Sequence, residues 1–276
     1  MKSEDRLVPD IEERAPEGDR KASLFLRALP ALITLVVVVA VAEAIGRLGL
    51  VSTLVFPLPS SIAAAFVDLF TSGIVWEHLR VTLTEVLLGF LLGAGSGFLL
   101  GILASFSSMF RQIVSPYIVV FQVTPRVAIA PLFLTWFGFG ITSKVILAAT
   151  ICFFPVFVNA LTGLLNVDPQ ARELFRSLRA GRVQEFLHLT LPSALPVIFA
   201  GVKTATTLAL IGAIVGEFVG ASAGLGLLIN AFNFRLATDS AFAVVLLLAV
   251  IGLVFYGVFE LLDRKIVFWQ REAEGR

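Results

Sequence analysis

Six long apolar runs constrain this chain more than any other feature: Ala28–Ile45, Val81–Phe106, Ile113–Phe137, Val145–Leu164, Pro192–Gly220 and Ala241–Leu262. Each is close to or above the roughly 20 residues that a helix needs to cross a bilayer. Because hydrocarbon offers no hydrogen bonds, a spanning segment must satisfy its own backbone, which a helix does. The expected fold class is an all-α membrane protein with six transmembrane helices. Only 15% of the 276 residues are charged and 58% are hydrophobic, whereas soluble domains carry about 25% charged residues. That excludes an ordinary water-soluble enzyme.

Charge placement says more than charge content. Thirteen of the 41 Asp, Glu, Lys and Arg residues lie in the first 27 positions, with Pro9, Pro16 and Gly18 among them. Residues 1–27 are expected to be a disordered tail, residues 28–270 the transmembrane domain, and 271–276 a second short tail. An Ala-x-Ala pattern at Ala42 and Ala44 is compatible with a cleaved leader. The mixed-charge segment before it is too long for a signal n-region, so the first run reads as an uncleaved span. If both termini share one side, that side holds 15 of the 21 Lys and Arg residues and the opposite side three: Arg47, Arg80 and Arg235. By the positive-inside rule both termini are cytoplasmic. There is no clustered basic face for nucleic acid. One cysteine, Cys152, and two histidines, His78 and His188, leave no basis for a Cys/His metal site.

Glycines recur every four residues in the second run, at Gly89, Gly93, Gly97 and Gly101, and again at Gly212, Gly216 and Gly220 in the fifth. Such spacing puts a bare backbone strip on one helix face. The strip serves either tight packing in one stable bundle or a smooth surface along which helices rock. The third run is interrupted by Gln122, Thr124, Pro125 and Arg126, with Pro131 following. Proline removes a helical hydrogen bond, and non-helical backbone at that depth is tolerated only inside protein or beside a water-filled cavity. Arg126 either pairs with Glu85 or Glu217 or lines a pathway. Lys203 and Glu217 pose the same alternative. Between the first two runs, Ile62, Phe66, Leu69 and Phe70 follow Pro59-Ser60 at helical spacing and read as an interfacial helix.

The longest cytoplasmic connection, residues 165–192, is the most informative. Asp168-Pro169 is a helix start. Ala171, Leu174, Phe175 and Leu178 form one apolar stripe beside Arg172, Glu173, Arg176 and Arg179. Gly181 is expected to end this helix as a left-handed cap, before a second run from Val183 to Leu191. The stripe either packs on the bundle or fills a groove on a cytoplasmic partner.

From Asp168 to Pro192 the sequence resembles the EAA loop of inner-membrane permeases in binding-protein-dependent ABC importers. Glu173 matches that loop's Glu, and Leu191-Pro192 its ending. The resemblance covers about residues 50 to 270. It includes Pro125 with Ala130-Pro131-Leu132, Trp136-Phe137-Gly138-x-Gly140, Phe153-Phe154-Pro155, Glu217-Phe218-x-Gly220 and Gly224-Leu225-Gly226. These blocks, in this order, are similar to the nitrate, sulfonate and taurine branch, which includes riboflavin and pyrimidine-precursor permeases. Two departures stand out: Leu174 and Phe175 replace two alanines, and Arg179 occupies the usual glycine position.

The resemblance implies a type I importer permease fold in a prokaryotic inner membrane, with no catalytic residues and no cofactor of its own. It also implies a second permease copy, two ATPase subunits docked through Glu173, Leu174, Phe175, Leu178 and Gly181, and an external solute-binding protein. The sequence holds no Gly-Lys dipeptide, hence no Walker A loop, so ATP is expected on a separate chain. The substrate is expected to be a small organic anion or a heterocycle, with the 124–140 and 151–163 stretches leaning to the heterocycle-carrying members. A secondary transporter is the alternative, although no inverted repeat partners the broken third run.

Overall fold

The computed structural model describes residues 17–269, with side chains from Leu29 onward apart from those of Gln122 and Arg126. The described residues are helical, with no strand among them. They divide into a unit ending at Ser60 and a larger unit beginning at Ser61.

In the first unit, α1 (Glu17–Arg47) carries the apolar segment Leu29–Arg47. The helix begins well inside the stretch expected to be disordered to residue 27. Residues 1–16 and 270–276, which include the expected second tail 271–276, lie outside the described residues. Side chains from Leu29 to Val41 are exposed, as expected where lipid rather than protein covers a helix. Near its end Glu43 accepts hydrogen bonds from Arg47 Nε at 2.7 Å and Ser60 Oγ at 2.8 Å.

The second unit holds four more helical runs of crossing length: α3 (Val75–Phe106), α6 (Ile141–Leu165), Arg182–Val219 and α11 (Thr238–Ile266). The third apolar run is not one helix. It splits into α4 (Ser108–Val123), a 3-10 turn (Arg126–Ile129) and α5 (Ala130–Phe137). Thr124, held extended at φ −70° and ψ 129°, stands before Pro125, as steric contact with a following proline ring demands. Six continuous spans thus become five crossing-length helices and one broken segment. The helix expected between the first two runs is present as α2 (Pro59–Thr71). A further helix, α10 (Leu225–Phe234), lies between the fifth and sixth runs. Together α2, α10 and α11 enclose a core of Leu69, Leu225, Leu228, Val244 and Leu247.

At the centre, α6 is clasped on two sides. One side is α3; the other is α9 (Leu191–Val219), the membrane part of the Arg182–Val219 run. A methyl group at Gly97 of α3 would lie 2.5 Å from the Phe153 carbonyl oxygen. One at Gly212 of α9 would lie 2.7 Å from Ala148 Cα, and one at Gly216 2.9 Å from Lys144 Cγ. Gly89, Gly93 and Gly101 likewise face α6, while Gly220 lies against Leu134 and Phe139. Between the backbones sit the buried Ala148, Cys152, Val156, Ala205, Ala209 and Ala213. Lipid is as apolar as leucine, so helices in a membrane associate through such close van der Waals contact.

Candidate coupling and pathway sites

The helix start at Asp168-Pro169 forms α7 (Pro169–Ser177), with the Asp168 carboxylate accepting from Gln170 N at 3.0 Å. Glu173, Leu174 and Leu178 are exposed and Phe175 is half-buried. Leu174 keeps 58% and Leu178 70% of its surface in the open, so the stripe is only partly used inside the chain. Arg172 Nε sits 2.9 Å from Glu185 Oε1, tying α7 to α8 (Arg182–Glu185).

The end of α7 differs from the expectation. Gly181 does not close it: with φ −71° it caps the start of α8. The left-handed residue is Arg179, at φ 56°. Ala180 N donates to Phe175 O at 3.0 Å and Arg179 N to Arg176 O at 2.9 Å, the paired bonds of a Schellman ending with Arg179 in the glycine place. The arginine that replaces the usual loop glycine therefore adopts the backbone that glycine favours, at a strain of roughly 1 kcal/mol. Replacing it by glycine is expected to slow amide exchange across 169–185 about fivefold, where local opening governs exchange. Unchanged exchange would show that the turn holds no strain.

Within the bundle, Glu217 and Glu85 do not meet Lys203. Lys203 Nζ instead lies 2.6 Å from Glu260 Oε2 and 2.5 Å from Asp263 Oδ2 of α11. Glu217 is buried with Thr82, Glu85 and Lys144. Its Oε1 accepts from Thr82 Oγ1 at 2.6 Å and its Oε2 from Gly226 N at 2.5 Å. Thr82 Oγ1 in turn accepts from Leu225 N at 2.8 Å, and His78 Nδ1 lies 3.0 Å from Gly224 N. Three successive amides that open α10, orphaned in any helix start, are thus met by side chains from α3 and α9. The same contact explains the Gly224-Leu225-Gly226 block: a Cβ at Gly226 would lie 2.9 Å from Glu217 Oε2, and Gly224 has φ 131°.

Lys144 completes the cluster. It donates to the carbonyls of Phe139 and Gly140 and faces both Glu85 and Glu217. Glu85 Oε2 has no hydrogen-bond partner among the described residues. Lys144, Thr82 and His78 escaped the sequence reading. Lys144 stands one residue before the run that begins at Val145, and His78 three before the run that begins at Val81, but α6 starts at Ile141 and α3 at Val75, and each helix includes its residue. The signal that could have exposed Lys144 is Gly138-x-Gly140, which starts α6 a turn earlier.

The broken segment borders a cavity of about 690 Å³ between α3, α4, α5 and α6. Phe121, one residue before Gln122, and Phe133, just after Pro131, line it from either side of the break. Thr124 Oγ1 donates to Val120 O at 2.7 Å. The side chains of Gln122 and Arg126 lie outside the described residues. No group of three or more His, Cys, Asp or Glu side chains fit for a metal occurs among the described residues.

A family model described as the binding-protein-dependent transport system inner membrane component matches residues 97–268. An aliphatic sulfonates transport permease protein of Bacillus subtilis is 37% identical over 239 residues, 87% of each chain. A riboflavin transport system permease protein of Chloroflexus aurantiacus is 35% identical over 216 residues, 78% of this chain and 81% of that one. Among solved structures, an inward-facing MetNI methionine ABC transporter chain aligns with a TM-score of 0.59 at 17% identity. That alignment covers 70% of this chain and 98% of the other, and shows a shared fold.

Proposed function

The chain belongs to the family of binding-protein-dependent transport system inner membrane components, and we propose that it is the permease subunit of an ATP-driven importer. In this reading two copies form the pathway, each docks one ATPase subunit, and an external binding protein delivers a small organic anion or heterocycle. The observation that carries it is the α7 helix: capped, tied to α8, and holding Leu174 and Leu178 in the open at the end of α6. An exposed apolar stripe on a helix is what a groove on a partner takes up.

With the charge bias as guide, α7 and both termini are cytoplasmic and α2 and α10 external. The α4–α5 segment then makes one crossing in two pieces, and its break, with Gln122, Thr124, Pro125 and Arg126, borders the route of the solute. Broken helices at mid-membrane supply polar backbone to passing solutes. Lys203 serves structure in this reading, through its pair with α11, and Glu217 holds the external end of α9 to α10. ATP-driven closure of the ATPases draws the α7 helices together and turns the bundle outward; release after hydrolysis returns it.

The test is purification of the chain with its genomic neighbours, followed by uptake into proteoliposomes. An ATPase that co-purifies and uptake that requires ATP are expected. Uptake by the chain alone would sink the proposal. In the same vesicles Arg126→Ala is expected to slow uptake at retained folding, and wild-type uptake would remove the break from the route.

A further inference from the structure

The polar atoms of the membrane cavity are arranged for one kind of solute. Ser96 Oγ donates to Leu92 O at 2.6 Å, and Thr150 Oγ1 donates to Ile146 O at 2.8 Å. A hydroxyl has one hydrogen and two acceptor lone pairs. With the hydrogens committed to their own helices, Ser96 and Thr150 offer the cavity acceptors only. The other eleven described lining residues are mostly apolar, and five of them are aromatic. Phe153 and Phe154 meet edge to face at 5.0 Å, and Phe121 lies 5.8 Å from Phe154. Tyr117 adds a ring and a phenol, the one hydroxyl among the described lining residues that is not bonded to a carbonyl. No Lys, Arg or His is among the described lining residues. The volume of about 690 Å³ falls in the range of small-molecule sites.

We infer that this cavity is a passage site for a neutral, planar heterocycle bearing N–H groups, and that it disfavours sulfonates. The inference rests on the permease reading above and narrows its substrate. A sulfonate is charged and brings only acceptor oxygens. Opposite Ser96 and Thr150 it finds lone pairs, and the single phenol of Tyr117 replaces only part of the hydration it gives up. A heterocycle brings the missing N–H donors to those lone pairs. It also presents flat faces, which stack on aromatic rings largely without regard to ring substituents. Its neutrality suits a site between helices of low polarity.

The experiment uses the full chain in lipid nanodiscs, with empty nanodiscs subtracted. Lumichrome, a fluorescent neutral tricycle with two N–H groups, is titrated directly, and naphthalene-2-sulfonate is added as a flat aromatic competitor that carries the anion. Lumichrome is expected to bind, with the sulfonate at least tenfold weaker. Phe153→Ala should weaken lumichrome about tenfold, and Thr150→Val about threefold to tenfold. Thr150→Ser keeps the lone pairs and should bind as wild type, which separates lost acceptors from lost folding. Absence of lumichrome binding overturns the inference. So does equal competition by the sulfonate, or binding unchanged by both Phe153→Ala and Thr150→Val. The permease reading stands or falls apart from these results, on whether an ATPase co-purifies and drives uptake.

Discussion

Replacing Lys144 by methionine is expected to lower the stability of the chain by about 3–5 kcal/mol, the cost of removing one member of a buried charged group. The side chain is 1% exposed, and the carboxyls of Glu85 and Glu217 beside it are 2% and 1% exposed. Methionine fills a similar volume but removes the positive charge that faces two buried acids and leaves the Phe139 and Gly140 carbonyls without their donor. Against a net stability of about 5–15 kcal/mol, that loss is large. The midpoint of thermal unfolding in detergent should fall by about 10 °C, with most of the chain eluting as aggregate. The double variant Lys144→Met with Glu85→Gln removes one acid as well and should regain a good part of the loss. A single variant as stable as wild type would mean that the three groups do not depend on one another.

The second large effect concerns function. Changing Leu174 and Phe175 together to glutamate should cut ATP-dependent uptake at least 100-fold while the protein still inserts and elutes normally. An apolar anchor at the centre of an interface carries about 2 kcal/mol or more, and two of them set a loss of this order. Leu174 is largely exposed and the half-buried Phe175 belongs to none of the core clusters, so the change leaves the bundle core intact. Glu173→Ala, which touches no apolar anchor, should act in the same direction with a smaller loss. The measurement is uptake and ATP hydrolysis in the same vesicles: hydrolysis should persist and lose its dependence on solute. Normal uptake in the double variant would remove α7 from the docking role.

Much of this arrangement is legible in the sequence, and the parts that are not share a physical cause. Spans announce themselves by length and composition, so α3, α6 and α11 were visible apart from their ends. The break at Pro125 was visible because proline acts locally. The helix α10 was not, because its ten residues are too few for a crossing and fall between the fifth and sixth runs. Charge partners were the hardest. Lys203 finds Glu260 and Asp263 some 60 positions away, and Glu217 finds Thr82 on a helix far earlier in the chain. Nothing local in the sequence encodes which helices are neighbours, so composition could list the intramembrane charges but not couple them. The turn at Arg179 shows the converse. There the resemblance marked a glycine place, Gly181 was expected to serve instead, and the backbone kept the original position.

The glycine contacts on both sides of α6 have a mechanical consequence. Three helices whose main chains touch leave no soft side-chain layer to absorb a displacement. They move as a slab. A push arriving at the π-helical turn Phe186–Thr190, where the loop joins α9, reaches the other end of that 29-residue helix about 43 Å away nearly undiminished. There Glu217 grips the start of α10. In the permease reading proposed above, such a chain acts as a connecting rod, with a stroke set at one end of α9 and delivered at the other, and the broken α4–α5 segment outside the slab is the place for compliance.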